Sequence, residues 1–90
     1  MINKNFTLMF TPKFTENLDK LSDNYRKLTL KKIKFLAMDP RYSSLRTQKN
    51  GDVFESSVTM DIRIIWQFDP VDSSVIVLLD IGHHDILNRL

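Results

Sequence analysis

The sequence predicts an α+β domain in which two N-terminal helices pack on a twisted antiparallel sheet. Apolar residues recur at helical spacing in the first half of the chain, and strict alternation replaces that spacing near residue 50. Two runs rich in β-branched and aromatic residues, 61–68 and 75–82, then flank a polar segment that is typical of a hairpin loop. We therefore predict the element order β-α-α-β-β-β.

The N-terminal half contains the signals of one strand and two helices. Residues 5–10 are short and apolar enough for a strand. Thr11 and Pro12 then indicate a helix start, because threonine caps a first turn and proline lacks only an N–H that has no partner there. Helices are predicted near 12–21 and 23–38.

The C-terminal half contains the signals of a meander. A polar connection over 41–52 ends in Asn50, Gly51 and Asp52, which form a strong turn signal. Extended segments that follow one another this closely favour antiparallel neighbours. Strands are predicted near 52–58, 61–68 and 75–82.

Size and composition bound the kind of protein. Ninety residues make a single domain over 1–90, and a chain this short buries only about 60–65% of the surface that its unfolded form exposes. No cysteine is present, which excludes disulfides and thiolate metal sites and fits a reducing cytoplasm. The N-terminus lacks the features of a signal peptide and no segment approaches membrane-spanning length, so we expect a cytoplasmic protein.

The net charge of +2 and the pI near 9.0 suit RNA or an acidic protein as partner, although many enzymes share them. Gly-rich phosphate loops and nucleophile elbows are absent from the sequence, so nothing favours a classical NTPase or hydrolase. Lys31, Lys32 and Lys34 are interpreted as the solvated face of the second helix, with a contact to ribosomal RNA as the alternative.

Alternation in the first apolar run assigns its side chains to two faces. If the hairpin is symmetric about its loop, Arg63 lies opposite Asp80 and Ile65 lies opposite Leu78. Such an Arg63–Asp80 pair would hold the arginine in place on the uncovered face of the sheet. The face that packs under the helices is predicted to carry Ile62, Ile64, Trp66 and Phe68.

Two features of this hairpin point to chemistry on a phosphate. The guanidinium of Arg63 can grip a phosphate with a planar fork of donors, and the imidazoles of His83 and His84 can exchange protons near neutral pH. Phosphodiester cleavage needs both functions. The alternative for Arg63 is a surface residue paired with Asp80. Because consecutive strand residues point in opposite directions, one of the two histidines is expected to be structural.

A metal site is disfavoured by the same geometry. His83, His84, Asp80 and Asp85 are of the right residue types, but adjacent histidines seldom converge on one ion. We therefore expect neither a metal nor another cofactor. Trp66 has the ring to stack a nucleobase, but its position in the alternation favours the core.

Four segments of the sequence follow one another in a characteristic order: 44–46, 51–55, 61–66 and 78–85. In this order they resemble the RelE/ParE superfamily of toxins from toxin–antitoxin pairs. The strongest elements are Arg-Ile-Ile-Trp at 63–66 and Gly-His-His-Asp at 82–85. The resemblance covers the chain in length and element order.

The resemblance implies an activity and its partners. RelE-like members are metal-independent endoribonucleases that cleave ribosome-bound mRNA by attack of the ribose 2′-OH on the adjacent phosphate, which inhibits translation. A cognate antitoxin keeps such a toxin silent. We expect a partner peptide to cover Arg63 and the His83–His84 end, because Ile65 and Leu78 are expected as exposed apolar residues on the uncovered face.

The resemblance also assigns roles to individual residues. Arg63 matches the arginine that contacts the scissile phosphate, and His83 or His84 matches the acid–base position. The basic groups of the preceding loop are Arg46 and Lys49. Asp85 is assigned to the same substrate site, where it would orient a histidine; its alternative is to cap the turn after Gly82.

Two departures from the family pattern leave other functions open. Asn88 stands where many members carry a tyrosine, and Ser57 stands where many carry an arginine. Both changes remove candidate catalytic or phosphate-binding groups. The alternatives are therefore a ParE-like toxin that binds and poisons DNA gyrase without RNA chemistry, or a degenerate member that only binds a partner.

Overall fold

The computed structural model describes residues 5–83 as two helices and a five-stranded sheet. The predicted α+β class and the two consecutive helices are confirmed. The elements are β1 (Thr7–Phe10), α1 (Pro12–Asp19), α2 (Asp23–Met38), a 3₁₀ turn (Ser43–Leu45), β2 (Gln48–Asn50), β3 (Val53–Ser57), β4 (Ile62–Phe68) and β5 (Val75–His83).

The sheet is mixed rather than wholly antiparallel, which corrects one part of the prediction. Its strand order is β1-β5-β4-β3-β2, and β1 runs parallel to β5 while the other pairs are antiparallel. The register of this pair joins Thr7 to Val75 and Phe10 to Leu78. A local sequence pattern cannot show this pairing, because the two strands are the first and last of the described elements.

Strand β2 lies inside the segment predicted as a polar connection. Its three residues are polar and exposed, so no apolar alternation marks it. It pairs antiparallel with β3 through the turn at Gly51, whose φ of +63° suits a residue without a side chain. Backbone pairing therefore defines this strand.

The start of α1 is tied to the sheet by its capping threonine. The Thr11 hydroxyl oxygen accepts a hydrogen bond from the Phe14 N–H at 3.2 Å, and the same hydroxyl donates to the Leu78 carbonyl oxygen at 2.7 Å. Pro12 follows at the first helical position. The predicted helix start is confirmed, and it fixes α1 against β5.

One apolar cluster joins the helices to the sheet. Ile62, Ile64 and Trp66 are almost fully buried in it, which confirms their predicted face, and Phe68 packs against it partly buried. Its buried members are Phe14, Ile33, Leu36, Leu45, Val58, Ile62, Ile64, Trp66, Ile76, Leu78 and Ile81.

The predicted pairing of Arg63 with Asp80 is wrong. The register joins Arg63 to Gly82 and Ile65 to Asp80, and it shifts between Ile65 and Trp66. β5 accommodates one extra residue at that shift, a β-bulge that a symmetric hairpin does not contain. On the loop side Phe68 pairs with Ile76, one residue off the symmetric register, and the bulge adds a second residue, so Asp80 lies two positions from the partner of Arg63.

The expected exposure of Ile65 and Leu78 is also wrong. Both side chains are fully buried, and Leu78 pairs with Trp66 inside the apolar cluster. The one-residue offset on the loop side of the bulge places Leu78 opposite Trp66 on the core face, whereas the symmetric register had placed it opposite Ile65. These two residues therefore give no support to a covering partner peptide.

Asp80 is a fully buried carboxylate that connects β5 to α1. Its Oδ1 accepts from the Asn17 amide at 2.6 Å and from the Ile81 N–H at 2.8 Å, and its Oδ2 lies 3.4 Å from the Lys13 ammonium. A buried carboxylate needs such partners, because burial without them costs several kcal/mol. Asp80 therefore has a structural role on the face that also carries Arg63.

A chain of hydrogen bonds connects the segment after α2 to the centre of the sheet. Thr47 Oγ1 donates to the Pro40 carbonyl oxygen at 2.7 Å and lies 2.7 Å from Ser56 Oγ. Because the single hydroxyl proton of Thr47 is already used, Ser56 donates to it. The indole N–H of Trp66 in turn donates to Ser56 Oγ at 2.8 Å. We call these four residues the Trp66–Pro40 relay.

No helix within residues 5–83 combines the length and the apolar character that crossing a membrane requires.

We expect Ser56→Ala to lower the free energy of unfolding by about 1–3 kcal/mol, because the buried Trp66 N–H would lose its acceptor. Chemical denaturation of the purified variant measures this loss. The matched control is Ser73→Ala in the exposed β4–β5 loop, where a change within about 0.5 kcal/mol is expected. Equal stability of the two variants would contradict the structural role of the relay.

Candidate anion site

The Arg63 side chain is held in a fixed orientation on β4. Its Nε and Nη2 donate to the Met60 carbonyl oxygen at 3.1 and 2.8 Å, and its Nη1 lies 3.6 Å from Glu55 Oε2. The side chain is 24% exposed. The guanidinium is therefore oriented before any ligand arrives, with Nη1 on the side of Glu55.

The turn that supplies the Met60 carbonyl is itself organised by a threonine. Thr59 Oγ1 accepts hydrogen bonds from the backbone N–H groups of Asp61 and Ile62 at 3.1 and 3.0 Å. A hydroxyl that bonds to the backbone two and three residues ahead is a recurrent turn motif. The sequence between β3 and β4 thus fixes the acceptor that orients Arg63.

A cavity of about 220 Å³ opens beside this guanidinium. Arg46 and Arg63 both line this cavity, although they are 17 positions apart in the sequence. We call it the anion cavity, because its lining residues include two arginines and neither aspartate nor glutamate. Its lining residues are Ser44, Arg46, Ser57, Val58, Thr59, Met60 and Arg63.

Arg46 reaches the anion cavity from an unusual backbone conformation. Its φ of 48° and ψ of 44° lie in the left-handed region, and it is the sole non-glycine residue with positive φ among residues 5–83. Its N–H donates to the Ser43 carbonyl oxygen at 3.2 Å and ends the 3₁₀ turn. An arginine rarely adopts this conformation, so the surrounding structure holds it there.

Ser57 is a lining residue that the sequence analysis treated as a lost arginine. The β3–β4 register places it directly opposite Arg63. Its side chain is nearly buried, and its Oγ has no hydrogen-bond partner within the described part of the chain. The hydroxyl is therefore a buried polar group without a partner in the wall of the anion cavity, and the strand register places it beside Arg63.

Lys49 does not line the anion cavity. It pairs with Phe54, which pairs in turn with Trp66, so its side chain belongs to the core side of the sheet. Arg46 and Lys49 were assigned together as basic groups of one loop. The structure brings Arg46 to Arg63 in the anion cavity, whereas Lys49 lines a different cavity, which Arg46 also lines.

The histidine cluster is only partly described. His83 is exposed at the end of β5 and pairs with Ile62, whereas Arg63 pairs with Gly82. Neighbouring pairs in a ladder point to opposite faces, so His83 lies on the face opposite to Arg63. His84, Asp85 and Asn88 lie outside the described residues.

The geometry suits a tetrahedral oxyanion better than a metal ion. Two guanidinium groups and a hydroxyl offer N–H and O–H donors to phosphate oxygens. Glu55, which is 12% exposed, balances part of the arginine charge from one side. Within residues 5–83, no three His, Cys, Asp or Glu side chains come close enough together to hold a metal ion.

We expect Glu55→Gln to strengthen the binding of inorganic phosphate by about 2- to 5-fold, because a partly exposed ion pair is worth about 0.2–1 kcal/mol. NMR titration of the purified protein with phosphate measures the affinity. Glu16→Gln, on the exposed side of α1, is the matched control and should leave the affinity unchanged. Weaker phosphate binding in the Glu55 variant would show that the carboxylate does not compete with the anion.

Solved structures with this architecture include proteins from three different organisms. The toxin–antitoxin complex RelBE2 from Mycobacterium tuberculosis is 17% identical with a TM-score of 0.70, over 89% of this chain and 92% of that chain. A metal-bound toxin from Helicobacter pylori is 22% identical with a TM-score of 0.69, over 91% and 98% of the two chains.

A YoeB/ParE toxin from Agrobacterium tumefaciens is 9% identical with a TM-score of 0.72, over 87% of this chain and 98% of that chain. No protein-family model and no curated protein matches the sequence. The agreement extends over almost the whole length of both chains in each comparison, at identities too low to carry a shared activity. The chain therefore has the fold of the RelE/ParE toxins.

Proposed function

We propose that this protein is the toxin of a toxin–antitoxin pair and that it cleaves mRNA in the cytoplasm, which inhibits translation. One observation carries the proposal: the oriented guanidinium of Arg63 shares a cavity with Arg46 and the unbonded hydroxyl of Ser57. The fold supports it, because solved structures with the same architecture include a toxin–antitoxin complex.

The anion cavity would hold the scissile phosphate. Attack of the ribose 2′-OH on the adjacent phosphorus forms a cyclic phosphate and expels the 5′-oxygen of the next nucleotide. Negative charge develops on the phosphate oxygens during this step. Donors that are already oriented stabilise such charge without reorganisation, and Arg63 meets that condition through its two hydrogen bonds to Met60.

The proton transfers need an acid–base group on the same face as the phosphate. One group must remove the 2′-OH proton and one must protonate the leaving 5′-oxygen. His83 shares a face with Ile62 and not with Arg63. His83 is therefore not the acid–base group of this proposal. We propose that His84, which lies outside the described residues, removes the 2′-OH proton and then donates it to the leaving 5′-oxygen, with Asp85 to orient the imidazole. Asn88 has no proton to exchange at neutral pH.

Two further partners belong to the proposal. A cognate antitoxin would silence the protein, as the RelBE2 complex suggests by analogy. The substrate would be mRNA on the ribosome, where the lysine-rich surface of α2 would face ribosomal RNA phosphates. Its members in the sequence are Lys27, Lys31, Lys32 and Lys34.

DNA gyrase is the target in the second candidate function. The position of His83 away from Arg63 favours it, because a toxin that poisons gyrase by binding needs no acid–base group. Induced expression followed by mRNA 5′-end mapping and a gyrase supercoiling assay distinguishes the two. New 5′ ends with unchanged supercoiling support the RNA-cleaving toxin, and the reverse supports the gyrase toxin.

We expect Arg63→Lys to reduce cleavage of ribosome-bound mRNA by about 10²-fold or more, close to the loss in Arg63→Ala. An ammonium group cannot reproduce the planar fork of a guanidinium. Single-turnover cleavage assays measure the rate. Arg26→Lys on α2, outside the anion cavity, is the matched control and should retain full activity. Full activity in Arg63→Lys would show that charge alone suffices.

We expect His84→Ala to reduce cleavage by about 10²–10⁴-fold, the usual loss for a positioned acid–base group. His83→Ala should change it little, because His83 lies on the other face. The same assay with EDTA should give an unchanged rate. Undiminished cleavage in the double variant, or loss of cleavage on chelation, would overturn this mechanism.

A further inference from the structure

A second and larger cavity lies on the core side of the sheet, between β3, β4 and the segment that follows α2. Its volume is about 940 Å³, near the upper end of the range for small-molecule sites. We call it the aromatic groove. It is lined by Phe6, Met38, Asp39, Pro40, Arg41, Tyr42, Ser43, Arg46, Thr47, Lys49, Phe54, Trp66 and Phe68.

Tyr42 presents the most accessible ring in this groove. The residue is 44% exposed. Its ring packs on that of Phe35, with ring centroids 4.7 Å apart and an interplanar angle of 32°. Phe35 thus supports the tyrosine from beneath. A supported, half-exposed ring is the kind of platform on which a nucleobase stacks.

A second aromatic pair forms the inner wall. Phe54 stacks on the buried Trp66 with centroids 4.5 Å apart at 17°, and Phe68 contacts both rings edge-on. The Trp66–Pro40 relay fixes the indole. The groove therefore has a rigid apolar wall.

The rim of the groove is cationic. Arg41, Arg46 and Lys49 are all exposed there, against the single carboxylate of Asp39. That carboxylate accepts a hydrogen bond from the Arg41 backbone N–H at 3.0 Å. The charge thus suits a polyanion that also carries flat apolar groups.

Arg46 connects the aromatic groove to the anion cavity. It lines both, so a strand whose phosphate sits beside Arg63 can pass Arg46 and continue along the groove. This continuity favours single-stranded RNA over a protein segment as the occupant. A protein segment would fill the apolar wall but would not need the shared guanidinium.

We propose that the aromatic groove is a base-binding subsite for single-stranded RNA. A nucleobase next to the cleaved phosphodiester stacks on Tyr42, while Arg46 and Lys49 hold the phosphates that flank it. The inference rests on the proposed function, because it takes RNA as the ligand of the anion cavity. It adds a contact on the opposite side of the sheet from Arg63.

The probes that test it are two short 2′-O-methyl oligonucleotides, which lack the attacking hydroxyl. One is an oligouridylate, and the other has the same number of phosphates but is abasic. Fluorescence anisotropy with the whole chain measures both affinities. We expect the wild type to bind the base-containing strand about 5- to 100-fold more tightly than the abasic one, the range for stacking of one base.

Two tyrosines provide a matched pair of variants. Tyr42→Ala should remove most of that difference and leave the abasic strand bound as before, whereas Tyr42→Phe should keep it. Tyr25 on α2 is 42% exposed and does not line the groove, so Tyr25→Ala should behave as wild type. Thermal unfolding checks that each variant is folded.

The outcomes separate this inference from the proposed function. If Arg63→Ala weakens both strands but the wild type binds them equally, the base-binding subsite is wrong and the groove is left for an apolar protein segment. An unchanged affinity in Tyr42→Ala has the same meaning. If Arg63→Ala affects neither strand, the RNA role of the anion cavity fails, whatever Tyr42 does.

Discussion

The Trp66–Pro40 relay is the interaction on which both cavities depend. It joins the irregular segment after α2 to the central strand β4 by hydrogen bonds that leave no proton of Thr47 or Ser56 unused. Arg46 directly precedes Thr47, so fixing the threonine also fixes the arginine. This segment, which also has the apolar contacts of Leu45 with the core and of Tyr42 with Phe35, is thereby held in one conformation.

The helices and the C-terminal hairpin could be predicted from the sequence, because their signals are local. Thr11 and Pro12 mark a helix start through capping, and the alternation around Trp66 marks a strand with one buried face. Strand β2 has no such signal, since backbone pairing alone forms it. The displacement of Asp80 follows from the pairing of β4 with β5, whose loop-side offset and bulge have no local signal in the sequence.

In the candidate site, too, some residues could be predicted from local signals and others depend on the pairing of strands. Arg63 and Arg46 stood out by residue type, and the structure brings them together in one cavity. Lys49 stood out equally, but a side chain's face follows from strand register, and the register sends it to the core side. Ser57 was noted only as the loss of an arginine, because the role of a serine depends on the neighbour that the strand register gives it. His83 stood out by residue type as well, but its pairing with Ile62 places it on the face opposite to Arg63.

The left-handed backbone of Arg46 has an evolutionary consequence. Glycine or asparagine would occupy this conformation at lower free energy, since a longer side chain meets the backbone there. Selection for stability alone would therefore favour glycine or asparagine over arginine at this position. Descendants that lose the ligand should accumulate glycine or asparagine here early, and they should gain stability as they do.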